Sequence, residues 1–243
     1  MKHFIIILTL LSFAVVSCDS EDSIDCFKKT GEEIEVEIAL APFHSIKTED
    51  EIDIYLMNGS QKVILKGGKN LLPEIDLSVK DGVLTIFNAN SCNWVREAGN
   101  PAIYIQSDLL EKINLFDYAN LYSESKYSTD TLEILSDGTG DINLEIEGDL
   151  LNLTSTFIGN ITLGGRLDHL EIQVFNDARL IANELKARVI KFEHTGSNDL
   201  WLFPVDSISG LVTQNGHIYL FNRPTYQNLS IEGAGKIFEM YEN

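Results

Sequence analysis

The chain has 243 residues, of which 37 are Asp or Glu and 18 are Lys or Arg, giving a net charge of −19 at neutral pH. That sign excludes a nucleic-acid binder, whose phosphate contacts need a basic footprint, and argues against adhesion to anionic lipid by charge alone. Hydrophobic side chains make up 44% of the residues, enough to build a sizeable core.

Lys2, an apolar run from Phe4 to Val16 and the small residue Ser17 read as a signal peptide over residues 1–17. The run is too short for a stable spanning helix, and no later segment is long and apolar enough for one. Val15-Val16-Ser17-Cys18 resembles the bacterial lipobox, with Val where Leu is usual. That resemblance implies cleavage before Cys18 and lipidation of its sulfur and new amino terminus. Removing residues 1–17 leaves 17 basic and 37 acidic residues, a net charge of about −20. Residues 18–26 form an acidic tether, Cys18-Asp-Ser-Glu-Asp22 and onward. It resembles the tether of surface-exported Bacteroidetes lipoproteins, whereas Asp after the cysteine in enterobacteria resembles an inner-membrane retention signal. The expected address is the outer membrane, facing outward, with a periplasmic orientation as the alternative.

Residues 27–107 read as irregular β-layers. Glu33–Ile38 and Ile52–Leu56 alternate apolar and polar residues, the signature of half-buried strands. Asn58-Gly59 and Asp81-Gly82 each lie between apolar runs and predict hairpins. Cys26 and Cys92 are an even pair outside the cytoplasm and are expected to form a disulfide. Its closed loop would stabilise the fold by on the order of 4 kcal/mol in the chain-entropy model.

Residues 108–243 repeat with a period of about nineteen. Two apolar columns emerge when the copies are aligned: Leu132, Leu151, Leu170, Ile190, Ile208, Leu229, and Ile142, Ile161, Leu180, Leu200, Ile218, Ile237. Further aliphatics follow two residues on, which is strand periodicity. Within each copy, between its two apolar columns, lie Asp137–Asp141, Gly159-Asn160, Asn176-Asp177, Ser197–Asp199, Asn215-Gly216 and Gly235, residues suited to turns. The expected fold is all-β: a single-domain parallel β-solenoid, right-handed by the general rule for parallel crossovers. Each coil is expected to be two short strands. The outward column beside the first is polar: Glu133, Asn152, Glu171, Lys191, Ser209, Ser230. Beside the second, Asn143 and Thr162 give way to Ile181, Trp201, Tyr219 and Phe238, and a further column runs Asn183, Phe203, Phe221, Met240. Exposed apolar patches of this kind mark interaction surfaces. The candidate surface is therefore Ile181, Trp201, Phe203, Tyr219, Phe221 and Phe238, facing a covering segment, a second copy or stacked sugar rings.

The order Phe43-His-Ser-Ile46, Ile52-Asp-Ile-Tyr-Leu56, Asn58-Gly59, Val63-Ile-Leu65 and Val79-Lys-Asp-Gly-Val83, with the Gly140-Asp-Ile-Asn143 and Gly159-Asn-Ile-Thr162 coils, resembles the putative auto-transporter adhesin head GIN domain family. The likeness covers residues 34–240. It implies a β-helix and an envelope lipoprotein, and it brings no catalytic residues with it.

Chemistry is sparse in the sequence. Asp137, Asp141, Asp177 and Asp199 lie in turns, where Asp is favoured for backbone reasons. Stacked, they would otherwise suggest Ca²⁺. His194 falls in a column with Val174 and Val212 and is expected to pack inside. No catalytic residue, metal site or cofactor is expected. The functional expectation is a non-enzymatic, lipid-anchored envelope module for adhesion or interaction, meeting the membrane through its anchor and binding a glycan, an envelope protein or itself. A polysaccharide-active β-helix enzyme and an envelope regulatory or sensory lipoprotein are the alternatives.

Overall fold

The computed structural model describes residues 29–90 and 101–241. The signal segment, the tether, Cys18, Cys26 and Cys92 lie outside the described residues. Among the described residues seventeen strands join one hydrogen-bonded sheet. The first nine are β1 (Glu33–Ile38), β2 (Ser45–Glu49), β3 (Asp53–Met57), β4 (Lys62–Gly68), β5 (Ile75–Lys80), β6 (Val83–Asn88), β7 (Ala102–Gln106), β8 (Lys112–Asp117) and β9 (Asn120–Ser123). Then come β10 (Tyr127–Gly138), β11 (Ile142–Ser155), β12 (Asn160–Phe175), β13 (Arg179–Thr195), β14 (Leu200–Val212), β15 (Ile218–Leu220), β16 (Tyr226–Ile231) and β17 (Ile237–Glu239).

The chain coils into a parallel β-solenoid. Ile142 pairs with Ile161, Ile161 with Leu180, Leu180 with Leu200, Leu200 with Ile218 and Ile218 with Ile237. Those steps reproduce the second apolar column, and its members from Ile142 to Ile218 are all but inaccessible to solvent. In the first column Leu132, Leu151, Leu170, Ile190 and Ile208 pair in sequence. The last rung differs from expectation. Ile208 pairs with Gln227, while Leu229 pairs with Gly210, which lies under the Phe192 ring. Asn228, not Ser230, therefore follows Ser209 in the outward polar column. A two-residue slip keeps the same residues facing inward, so alternation alone could not set that rung.

Each regular coil is one long bent strand rather than two short ones. β11, β12 and β13 run through both columns without a break. A third set of inward residues, Ile146, Leu167, Leu185 and Ala187, fills the bend and keeps the backbone ladder continuous. The turns lie where Asp, Asn and Gly cluster, and most of those side chains bond the next coil. Asp141 Oδ1 accepts from the Asn160 amide at 3.0 Å, Asp177 Oδ1 from the Ser197 amide at 3.2 Å and Asp199 Oδ1 from the His217 amide at 2.9 Å. Asn120 Oδ1 accepts from the Asp141 amide at 2.7 Å and its Nδ2 donates to Asp53 at 2.7 Å.

The N-terminal layers belong to the same stack. β2 and β3 form one coil, with Ile46 beside Ile113 and Ile54 beside Leu121. β6 and β7 form the next. β5 and β6 make the expected hairpin through Asp81 and Gly82, both at positive φ, as a tight turn between paired strands requires. Asn58-Gly59 does not make one. β7 lies between β3 and β4, parallel to the first and antiparallel to the second. Asn58 and Gly59 instead donate to Asp108 at 3.0 and 2.7 Å. Burial of Ile103 and Ile105 between the two strands outweighs the local turn preference.

Candidate functional site

One outward column runs the length of the solenoid beside the second apolar column. Its neighbours, rung by rung, are Tyr104, Tyr55, Tyr122, Asn143, Thr162, Ile181, Trp201, Tyr219 and Phe238. The parallel register forces this alignment, since residues flanking an inward column share the opposite face. The structure thus brings Ile181, Trp201, Tyr219 and Phe238 together as expected. It also adds three tyrosines at the other end that the nineteen-residue repeat did not contain.

The C-terminal rings stack on each other. Trp201 and Tyr219 centroids lie 5.3 Å apart with planes 7° from parallel, and Tyr219 and Phe238 lie 5.0 Å apart at 15°. Stacking at rung spacing uses the ring faces, so the edges are what meets solvent. The Arg179 guanidinium lies 4.7 Å over the Trp201 ring. Sugar rings stacking face-on on these three C-terminal rings are therefore disfavoured by geometry. Phe238 is 37% exposed, and Ile181, Trp201, Phe203, Tyr219 and Phe221 are half-buried. Asn183 does not adjoin Phe203 in the further column. Extra residues in β13 between Ala182 and Lys186 shift the register, and Lys186 pairs with Phe203 and holds its ammonium 5.8 Å over that ring.

At the other end Tyr55 stacks on Tyr104 at 4.7 Å and on Tyr122 at 5.0 Å. Burial, and then the nearby Asp53 carboxylate, push the Tyr55 and Tyr122 hydroxyls above the ordinary tyrosine range, so both stay neutral. The column signal was absent from the sequence because Tyr55 and Tyr104 lie in the irregular half. The pairs Ile54–Ile103 and Ile54–Leu121 would have revealed it had the register been known.

The turn aspartates are occupied structurally. Besides the bonds above, Asp137 accepts from the Thr156 hydroxyl. Among the described residues no group of three or more His, Cys, Asp or Glu is arranged to hold a metal ion. His194 is fully buried between Val174 and Val212, with Nε2 2.6 Å from the Asn198 carbonyl oxygen. Burial pushes its pKa down, against the opposing pull of that carbonyl.

Solved structures of the same shape are described as putative adhesins or as a putative lipid binding protein. A crystal structure of a putative adhesin from Bacteroides fragilis aligns with a TM-score of 0.77 at 24% identity, covering 86% of this chain and 97% of that one. A putative adhesin from Parabacteroides distasonis gives 0.66 at 19% identity, covering 86% and 98%. A protein from the same species described as a putative lipid binding protein gives 0.64 at 17% identity, covering 87% and 98%. At these identities the likeness shows the fold. No curated protein matches the chain. The family model described as putative auto-transporter adhesin, head GIN domain, matches residues 42–224, and the chain belongs to that family.

Proposed function

We propose that the chain is a non-catalytic adhesion module of the cell envelope, held by a lipid on Cys18 and the acidic tether to the outer membrane, facing outward. Its working surface is the edge-on aromatic column Trp201, Tyr219 and Phe238, flanked by Phe203 and Phe221. The observation that carries this reading is the ring stack itself. Three stacked aromatics lie on the outside of a fold whose interior is already filled, mostly by aliphatics. The family's adhesin description supports it. Exposed ring edges, with Arg179 and Lys186 over the ring faces of Trp201 and Phe203, suit a protein partner, either another envelope protein or a second copy of the chain.

The test compares the full chain with Trp201→Ser, made in cells and purified. Sedimentation velocity reads self-association, and binding to envelope fractions from cells lacking the gene reads hetero-association. Loss of one of these at unchanged circular dichroism is the expected result. If both survive in Trp201→Ser, the surface has no such role. Radiolabelled palmitate entering wild type but not Cys18→Ala checks the anchor. Degradation of a polysaccharide panel by the purified chain would overturn the non-catalytic reading.

A further inference from the structure

We propose that the step in the outward column between Tyr122 and Ile181 is a second binding site, which seats a sugar ring of a glycan without acid groups. The column falls there from three stacked rings to two short polar residues, Asn143 and Thr162. Asn and Thr reach less far than Tyr. Beyond their ends the outer part of the Tyr122 ring face, turned away from Tyr55, has no stacked ring partner among the described residues. A depression of about 390 Å³ opens at this place, lined among others by Tyr122, Asn143, Thr162, Glu145 and Glu184. That lies within the range of small-molecule sites, roughly 300–1,000 Å³. The run from Tyr122 to Ile181 spans three rungs, about 14 Å at the usual strand spacing.

The chemistry of the walls selects the ligand. An aromatic face takes the C–H face of a pyranose, while neighbouring amide, hydroxyl and carboxylate groups take its hydroxyls. Among the described residues, no protein group bonds the Asn143 or Thr162 side chain. The only charged groups in the lining are the carboxylates of Glu145 and Glu184, which repel uronates and favour neutral or amino-bearing sugars.

A second feature marks the same spot. Here the ladder departs from regular pairing, β13 carrying one residue more than β12 between Thr162 and Gly164. The irregularity sets Glu184 opposite Gly164. Gly164 leaves room for the Glu145 carboxylate, since a Cβ there would meet Glu145 Oε2 at 2.3 Å. Bulges commonly re-aim side chains beside binding sites. At the Trp201 end no such step exists, because the guanidinium of Arg179 covers the free ring face.

Saturation-transfer NMR on the full chain, followed by titration calorimetry, tests the site with soluble oligosaccharides of neutral hexoses, amino sugars and hexuronates. Transfer to a neutral or amino-sugar oligomer is expected. Thr162→Tyr would extend the ring ladder and fill the step, and Tyr122→Ala would remove the wall. Each should weaken binding about tenfold or more, the loss of roughly one aromatic contact. Trp201→Ser should leave it unchanged, which separates this site from the protein-binding surface. No transfer from any neutral or amino sugar at millimolar concentration would overturn the proposal. So would tighter binding of hexuronates, or binding indifferent to Thr162→Tyr in a folded variant.

Discussion

Leu180 and Ile181 are adjacent in sequence and point to opposite sides of one strand, so truncating each to Ala tests the column register directly. Leu180 has no accessible surface and lies between Ile161 and Leu200. Losing its three outer carbons forfeits about 2.4 kcal/mol at roughly 0.8 kcal/mol per buried methylene. A cavity cost adds to this, because backbone ladders on both sides hold the adjoining coils at rung spacing and prevent collapse. The total should be about 4 kcal/mol. For a fold of this size that corresponds to a Tm lower by about 8–16 °C. Ile181 is half-buried and outward, and Ile181→Ala should cost about 1 kcal/mol or less. Urea unfolding followed by far-UV circular dichroism measures both. Hydrogen exchange then shows whether Leu180→Ala opens β12 to β14 first, as nearest-neighbour coupling in a solenoid predicts. Equal costs for the two variants, or a larger one for Ile181→Ala, would refute the assignment of inside and outside.

Asp141→Ala removes the acceptor for both the Asn160 amide and its side-chain nitrogen, at 3.0 and 3.1 Å, and should cost about 1 kcal/mol in the same unfolding assay. Gly165→Ala should cost at least about 2 kcal/mol, because φ is +105° and the new Cβ would lie 2.1 Å from the Ile146 carbonyl oxygen. For His194, the unfolded chain takes up a proton as pH falls below about 6.5, while burial holds the folded imidazole neutral to lower pH. Stability is therefore full above that pH and declines below it until the depressed folded pKa is reached. Urea midpoints between about pH 5 and 8 should show this decline in wild type and lose it in His194→Val, which copies the Val174 and Val212 rungs. An unchanged slope in His194→Val would assign the decline to other groups.

Much of the regular half was legible because three signals coincided. Apolar residues two apart gave strands, the nineteen-residue period gave the coil, and Asp, Asn and Gly marked its turns. The same alignment placed Ile181, Trp201, Tyr219 and Phe238 in one column. It failed at the final rung, where Leu229 and Gln227 are two residues apart and either choice keeps the alternation. It failed also at Asn183, because the extra residues in β13 carry no mark in composition. The Asn58-Gly59 hairpin was a sound local reading overruled by β7 inserting between its strands.

By itself the sequence determined an all-β coil, its inward residues and the sites of its turns, since burial alternation and turn preference act over a few residues. Only the tertiary structure decided the tyrosine stack and the step beside it. Tyr104, Tyr55 and Tyr122 lie far apart along the chain, and parallel pairing joins them whatever the length of the connections between. That register comes from packing Ile54 against Ile103 and Leu121 in the common core, a contact that no local pattern encodes.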